Sequence, residues 1–459
     1  MTSTESLEAG ATGGTGAMLV GVVARVLIQL IGLFILGRLL SPAEYGLLAM
    51  ITAIVGEALL VRDFGLTFAS IQSKVMNDRI RSNLFWINAA AGSAAMVLAL
   101  LAAWPISQIY GDPRVIGLTC GLAPVFLLGG LAAQYQADLN RRLRFSKLVI
   151  SETVSAAFGL GVGIVAALLG AGTWSLVVQQ ISAAALLLVL VAAFGGWIPR
   201  LYDRNTKIGS QVRAGADIFL LQFITYAARN ADKVALGMTL NPATVGLYDR
   251  AFQLYTTPID QVNQPATRVA LPVLARLQDD EAEFRRFIAR GQVALMIPLM
   301  LTMSIGIAFA PALIPLILGN QWLAAIAPFQ ILCVGGFAIA ATYSTYWGFL
   351  STGTIRENVK LMLVYRPIAL VLIVIGSAWG LLGVAAAFSL GQIGAWLLQT
   401  WWVKRVPIIP QRTLFLAAVR GWIMFFTPAV LAAVAYSLAP AEWTAVASVS
   451  VAAEPVFVN

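Results

Sequence analysis

The sequence is poor in the side chains that carry most enzymatic and metal chemistry. It contains no histidine and only two cysteines, Cys120 and Cys333, among 459 residues. The missing imidazoles exclude a histidine general base and histidine metal ligands, and two distant cysteines in apolar runs indicate small buried side chains rather than a disulfide framework. The sequence also lacks a Walker-type phosphate loop, a glycine-rich dinucleotide loop and a metal-ligand cluster. We therefore expect no cofactor, no metal and no enzymatic activity.

Charge is scarce as well. Charged residues make up 11% of the chain and hydrophobic residues 59%, whereas soluble domains have about 25% charged and about 45–50% apolar residues. A surface built from so few charges would not remain in water, so the sequence predicts an integral membrane protein. Residues 1–16 carry Glu5 and Glu8 but no basic residue, which argues against a cleavable signal peptide.

Long apolar runs recur through the chain. A helix needs about 20 apolar residues to cross a bilayer core. The sequence predicts thirteen spans, at residues 18–40, 45–60, 84–109, 115–135, 148–169, 174–197, 218–240, 245–262, 294–318, 324–350, 361–380, 381–402 and 414–438. The apolar stretch 443–453 is too short to count as a fourteenth. The predicted fold class is an all-α polytopic membrane protein.

The positive charges lie on one side of this arrangement. Lysine and arginine concentrate in the loops after the even-numbered spans, whereas the opposite loops hold only Arg114. Because cytoplasmic loops carry an excess of these residues, the N-terminus and the even-numbered exits are predicted to be cytoplasmic. The formal net charge of +9 is then mostly a topology signal. It indicates contact with membrane lipids and requires no nucleic-acid partner.

The chain also contains an internal repeat. Residues 40–47, LSPAEYGL, match residues 240–247, LNPATVGL, and both segments follow the first span of their half. Two further pairs of similar segments occur in the same order in the two halves. Ala123-Pro124 with Gly129-Gly130 matches Ala327-Pro328 with Gly335-Gly336, and Gln180-Ile181 matches Gln392-Ile393. Such repeats indicate duplicated halves, with a substrate site between them and transport by alternating access.

The repeat predicts how the chain is divided. Six spans per half give two pseudo-symmetric lobes of parallel orientation, an N-lobe at residues 1–199 with helices 1–6 and a C-lobe at 200–405 with helices 7–12. Residues 406–459 are predicted to hold helix 13 and a short helix 14 whose completeness the sequence leaves open.

Polar and ionisable side chains inside the predicted spans are the candidate site. Such groups are costly in a bilayer and usually face a polar interior. Four cations are predicted to bind an anionic substrate group: Arg25, Arg229, Lys233 and Arg250. The residues predicted to line the same cavity or to couple an ion are Gln29, Glu57, Gln222, Tyr226, Asn230, Asp232, Asp249, Gln253, Gln261 and Arg366.

A purely structural role is open for several of these residues. Asp232 lies three residues after Arg229, and Asp249 has a basic neighbour, so both carboxylates are candidates for ion pairs that only hold helices together. Lys233 also lies near a span end, from which its ammonium group reaches the membrane interface.

Several motifs connect the sequence to a known family. They are GRLLSPAEYG at residues 37–46, DFGL at 63–66, GLYDRA at 246–251, LGNQW at 318–322 and APFQIL at 327–332. With these motifs in this order, the chain from about residue 16 to 438 resembles the polysaccharide transporters of the MOP exporter superfamily, and more narrowly Wzx-type flippases of the colanic-acid and exopolysaccharide branch. It departs from them at residues 441–459, where family members usually have a complete final helix.

The resemblance implies a two-lobed flippase of 12–14 transmembrane helices in the bacterial inner membrane. Its substrate would be an undecaprenyl-diphosphate-linked oligosaccharide repeat unit for exopolysaccharide, capsule or O-antigen synthesis. A polymerase and a chain-length regulator of the same pathway are implied partners. Arg25, Arg229 and Arg250 occupy places comparable to the cationic cavity residues of the family.

Two other functions remain open at the level of sequence. A cation-coupled multidrug exporter of the same superfamily would favour an acidic cavity, against which the four predicted cations argue. A membrane polysaccharide polymerase would require a large periplasmic loop or an acidic metal-binding motif, and the outside loops are short. A proton or sodium ion could couple through Glu57 or Asp232, or no ion could couple at all.

Overall fold

The computed structural model describes residues 3–56, 76–204, 206, 209, 234 and 236–438. Every regular element in these residues is helical, which confirms the predicted all-α class. They form thirteen α-helices: α1 Ser3–Leu39, α2 Pro42–Val55, α3 Asp78–Tyr110, α4 Arg114–Leu122, α5 Pro124–Arg141, α6 Phe145–Leu168, α7 Thr173–Gly195, α8 Pro242–Arg276, α9 Glu281–Leu318, α10 Ile326–Ser351, α11 Ile355–Ser377, α12 Gly380–Trp402 and α13 Gln411–Leu438. Short 3₁₀ turns at Asn320–Ala325 and Val403–Arg405 precede α10 and follow α12.

Ten segments of the described chain are long and apolar enough to cross a membrane. The chain is therefore a multi-pass membrane protein. The helix α8 is long enough but too polar to be among the ten, although it contains the predicted span 245–262. The spans predicted at 45–60 and 218–240 extend into residues outside the described ranges, so the total of thirteen stays a prediction.

One predicted span contains a local gap in its hydrogen bonding. The segment 115–135 is divided between α4 and α5 at Ala123, and α5 continues to Arg141. Ala123 keeps helical backbone angles, φ −53° and ψ −38°, and Arg114–Arg141 forms one of the ten spanning segments. Pro124 causes the gap, because it has no N–H to donate to the carbonyl group of Cys120. The related Ala-Pro pair of the second half lies just after the point where the 3₁₀ turn gives way to α10.

Both copies of the strongest repeat motif begin a helix in the same way. Ser41 precedes α2 with φ −72° and ψ 159°, and Asn241 precedes α8 with φ −74° and ψ 161°. Each side chain accepts the backbone N–H of the residue three positions later, Glu44 or Thr244. In the first copy the Glu44 carboxylate also accepts the Ser41 N–H at 2.6 Å, which completes a capping box. The matched letters in the sequence thus encode a shared helix start.

The chain divides into two compact units, Met1–Met238 and Thr239–Asn459. In the first unit, α6 packs on α1 and α7, and α5 packs on α3 and α7. In the second, α10 contacts α8, α9 and α12, while α13 packs on α9 and α11 on α12. The predicted division into six-helix lobes at 1–199 and 200–405, with 406–459 beyond them, concerns helices outside the described ranges and stays a prediction.

Glycines allow α3 and α5 to pack backbone against backbone. A Cβ atom added at Gly130 would lie 2.5 Å from the backbone oxygen of Asn88 and 3.0 Å from Cα of Gly92. Without water to drive helices together, close packing of small residues is a main source of helix association in membranes. One of the repeated Gly-Gly pairs therefore serves a tight helix contact.

We expect Gly130→Ala to destabilise the protein by about 1–3 kcal/mol, because the new methyl group would force two backbones apart. The matched control is Gly161→Ala in α6, where an added Cβ would meet no atom within 4 Å. That change should be neutral or slightly stabilising, since alanine is the better helix former. Thermal unfolding of the two purified variants in detergent checks the difference, and equal melting temperatures would contradict it.

Candidate functional site

The predicted site residues fall into two groups. Seven lie outside the described residues, so their roles stay predictions: Glu57, Gln222, Tyr226, Arg229, Asn230, Asp232 and Lys233. The structure places the other seven on α1, α8 and α11: Arg25, Gln29, Asp249, Arg250, Gln253, Gln261 and Arg366.

Arg25 lies in the apolar span Val20–Leu39 of α1 and has a carboxylate partner on another helix. Its Nη1 donates to Oε2 of Glu152 in α6 at 2.9 Å, and its Nε donates to the backbone oxygen of Gly21 at 3.4 Å. The side chain of Arg25 is 46% exposed and that of Glu152 is 27% exposed. A guanidinium has five N–H donors, so these contacts leave several donors for a further ligand.

The pairing explains how this cation is tolerated in an apolar segment. An isolated guanidinium at membrane depth costs several kcal/mol, and a nearby carboxylate reduces that cost. The contact between α1 and α6 brings the two groups together although 127 residues separate them in sequence. The structure therefore holds Arg25 beside an acidic group while leaving about half of its side chain accessible.

Glu152 was missed as a site residue at the level of sequence. It lies within the predicted span 148–169, four residues after that span begins. The criterion that singled out Glu57, an ionisable group inside an apolar run, applies equally to Glu152. The signal was thus present, but the identity of its partner required the packing of α1 on α6.

Gln29 follows Arg25 by one helical turn. Residues four apart share a helix face, and both side chains are exposed in the described structure. An amide that can donate and accept suits hydroxyl groups such as those of sugars. The polar face of α1 therefore offers one cation and one amide.

Asp249 and Arg250 form an ion pair in the first half of α8. Nη2 of Arg250 lies 2.8 Å from Oδ2 of Asp249, and both side chains are largely buried. On the same helix Gln253 is half-buried and Gln261 is exposed. The predicted cavity residues of α8 therefore differ in exposure. Asp249 and Arg250 are enclosed within the second unit, whereas Gln261 is accessible.

Three prolines inside α8 were not considered at the level of sequence. Pro258, Pro265 and Pro272 each remove a backbone N–H, so carbonyl groups one turn earlier lose their usual partner. In membrane proteins such freed backbone groups are tolerated where the helix is covered by protein or lines a polar cavity. This pattern agrees with the low hydropathy of α8.

Arg366 lies next to Pro367 within α11 and is half-buried. Its Cζ atom is 6.0 Å from the ring centre of Tyr365, the outer limit of a cation–π contact. Nothing in this contact indicates a ligand. In the part of the chain that the structure describes, no three metal-ligating side chains converge.

The described side chains are therefore suited to binding an anion. Arginine binds phosphate or carboxylate oxygens with paired, charge-assisted hydrogen bonds. Arg25 has the exposure and the remaining donors for such binding, whereas Arg250 is engaged with Asp249 and largely enclosed.

Solved structures share this fold. The lipid II flippase MurJ, in an inward closed conformation, aligns with a TM-score of 0.67 over 89% of this chain and 92% of that chain, at 15% identity. An inward-facing multidrug resistance MATE family transporter of the MOP superfamily aligns with a TM-score of 0.62 over 83% and 94% of the two chains, at 13% identity. The fold is therefore the all-α fold of MOP transporters.

The family follows from the sequence comparison. A sequence model of the polysaccharide biosynthesis protein family matches residues 35–327, and the chain belongs to that family. The lipopolysaccharide biosynthesis protein WzxC of Escherichia coli strain K12 is 25% identical over 389 residues, which cover 81% of this chain and 77% of that relative. The predicted resemblance to polysaccharide transporters is thereby confirmed.

Proposed function

We propose that the protein is a flippase that moves undecaprenyl-diphosphate-linked oligosaccharide repeat units across the bacterial inner membrane. The observation that carries this proposal is Arg25, a half-exposed cation with unused donors inside an apolar span of a MOP-type fold. A diphosphate is the group in such a substrate that arginine recognises best. The names of WzxC and of the lipid II flippase MurJ support the same substrate class.

The proposed mechanism is alternating access. The diphosphate and sugars enter from the cytoplasmic side and bind Arg25. Arg229 and Lys233 are further candidates from the sequence, whereas Arg250 would first have to exchange Asp249 for the substrate. The polyprenyl tail remains in the lipid, because about 0.8 kcal/mol would be lost for each CH₂ group moved into water. Movement of the lobes then opens the site to the periplasm, where a polymerase and its chain-length regulator are the proposed consumers. The protein itself performs no bond-making step in this scheme.

The orientation is part of the proposal. The basic loops predict a cytoplasmic N-terminus, and with that orientation the half of α1 that carries Arg25 would lie near the cytoplasmic side. Substrate assembled in the cytoplasm would therefore meet Arg25 early in its passage.

Deletion of the gene tests this function. Secreted polymer and lipid-linked intermediates would be measured by mass spectrometry in the deletion strain and in the same strain carrying the gene on a plasmid. We expect the polymer to disappear and a complete diphosphate-linked repeat unit to accumulate, because synthesis continues while transfer is blocked. The mass of that unit would identify the glycan, whether succinoglycan-like, colanic-acid-like or another.

Two other outcomes would contradict the proposal. Unchanged lipid intermediates with new sensitivity to cationic drugs would establish the multidrug exporter, whose fold is shared. Accumulation of the repeat unit in the periplasmic leaflet would instead show that the deletion blocks polymerisation and not transfer across the membrane.

A further inference from the structure

A charged cavity lies at one end of the first unit, and neither Arg25 nor Glu152 is among its lining residues. It is formed where α3 begins and α5 ends, and it has a volume of about 140 Å³. Its lining residues are Met76, Asn77, Asp78, Arg81, Asp138, Arg141 and Arg142. A water molecule occupies about 30 Å³ in the liquid, so the cavity has room for a group the size of a phosphate.

Arg81 is the centre of this cavity. Its Nη2 lies 2.7 Å from Oδ1 of Asp78, and its Nη1 lies 3.5 Å from Oδ1 of Asp138. The guanidinium also stacks on the ring of Trp197, with Cζ 4.2 Å from the ring centre. Only 9% of Arg81 is exposed. The packing therefore fixes the position of this cation before any ligand arrives.

The cavity contains donors that its own carboxylates do not use. Nε of Arg81 is buried and has no hydrogen-bond partner among the described residues, although buried polar groups are nearly always paired. Arg142 contacts Asp138 through Nε at 3.1 Å, while its side chain remains 39% exposed. Three arginines face two aspartates here. Oδ2 of Asp138 also has no hydrogen-bond partner among the described residues, although it lies in ion-pair distance of Arg142. The excess of guanidinium donors over carboxylates favours an oxygen-rich anion as the group that completes the site.

The depth of the cavity identifies where that anion comes from. Asp78 and Arg141 are end residues of two membrane-spanning segments, so the cavity lies at the level of the lipid head groups. Phe85, Tyr135 and Trp197 pack together at the same end as a largely buried cluster, which supports the ring on which Arg81 stacks. At this depth the abundant oxyanion is the phosphate of a lipid.

We propose that this cavity is a binding site for a lipid-borne phosphate at the cytoplasmic face of the first unit. The phosphate oxygens would accept from Arg81 and Arg142, since arginine presents paired donors to such groups. Two lipids carry this chemistry: a bilayer phospholipid such as phosphatidylglycerol, and a polyprenyl diphosphate. The site shares no lining residue with the Arg25–Glu152 pair; its assignment to the cytoplasmic face rests on the orientation proposed above, whereas phosphate binding does not require the transport function.

Binding by the full-length protein in detergent, measured by native mass spectrometry, tests the site. The probes are phosphatidylglycerol, undecaprenyl diphosphate and diacylglycerol, which has no phosphate. Two variants address the cavity in different ways: Arg142→Gln removes a donor but leaves the contacts of Arg81, and Met76→Trp fills the space without changing any charge. The control is Arg114→Gln, which removes an exposed arginine paired locally with Asp112 at 2.8 Å.

We expect at least one phosphate-bearing probe to bind the wild-type protein and the Arg114→Gln control equally. Both cavity variants should bind it about tenfold more weakly, with melting temperatures unchanged. Displacement of phosphatidylglycerol by undecaprenyl diphosphate would identify the polyprenyl lipid as the occupant, and failure to displace it would identify the phospholipid. Equal binding of diacylglycerol, or unchanged binding by Met76→Trp, would overturn the proposal, because either result would show association that does not use the cavity.

Discussion

The double variant Arg25→Met with Glu152→Met is expected to insert into the membrane normally but to lose polysaccharide export. The two groups form one ion pair between α1 and α6, and replacing both with apolar side chains leaves neither charge unpaired in an apolar segment. Binding of the diphosphate, in contrast, would lose its cation. A hydrogen bond to a charged group contributes about 1.5–3 kcal/mol, so export should fall at least about tenfold at equal protein abundance.

Three companion variants separate binding from folding. Arg25→Met alone leaves Glu152 without its partner and should reduce both stability and export. Glu152→Gln retains the cation and should retain measurable export. Arg114→Ala, an exposed arginine outside the site, should export at the wild-type level. Secreted polymer and membrane abundance would be measured for all four, and full export by the double variant would refute a binding role for Arg25.

Arg81→Ala is expected to destabilise the protein far more than Arg79→Ala, although the two arginines are two residues apart. Loss of Arg81 leaves Asp138, whose side chain is 5% exposed, with only the partly exposed Arg142 as a partner, and loss of a buried partner costs up to about 3–5 kcal/mol. Arg79 is 69% exposed and lies 3.5 Å from Asp203, a surface contact worth at most about 1 kcal/mol. Thermal unfolding of the purified variants measures both effects.

The informative control for this prediction is a replacement of both buried partners. Arg81→Met with Asp138→Leu should recover much of the stability lost in Arg81→Ala, because the buried carboxylate would be gone as well. Asp78 and Arg142 would each lose a partner, but their side chains are 59% and 39% exposed and can be hydrated. Equal melting temperatures of Arg81→Ala and Arg79→Ala would show that the ion pairs of Arg81 contribute little to the stability of the protein.

The Arg25–Glu152 pair and the cluster around Arg81 differ in how far they could be predicted from the sequence. Arg25 was found because an ionisable residue inside an apolar run is unusual in any context. Arg81 was not, because it lies among the basic residues that mark a cytoplasmic loop and was interpreted only as part of the topology signal. Its burial depends on α5 and on Trp197, which follow it by more than 40 residues in the chain.

The helix ends were also only partly predictable from the sequence. The matched motifs at Ser41 and Asn241 predicted equivalent positions in the two halves, and both residues cap a helix with nearly the same backbone angles. The gap in hydrogen bonding at Ala123 was not predicted, since the hydropathy of residues 115–135 is continuous. Pro124 carried the signal, because a proline inside a span has no N–H to donate to the preceding turn.

An all-α membrane protein with long apolar spans and a family-specific order of motifs was predictable from the residue order alone. The reason is that a bilayer requires each spanning segment to satisfy its own backbone and to be apolar along its length, which are local properties. The contacts of Arg25 with Glu152, of Arg81 with Asp138 and of Gly130 with the backbone of α3 were not predictable in this way. They join different helices, and the order of residues along one helix does not specify which neighbour its polar face will meet.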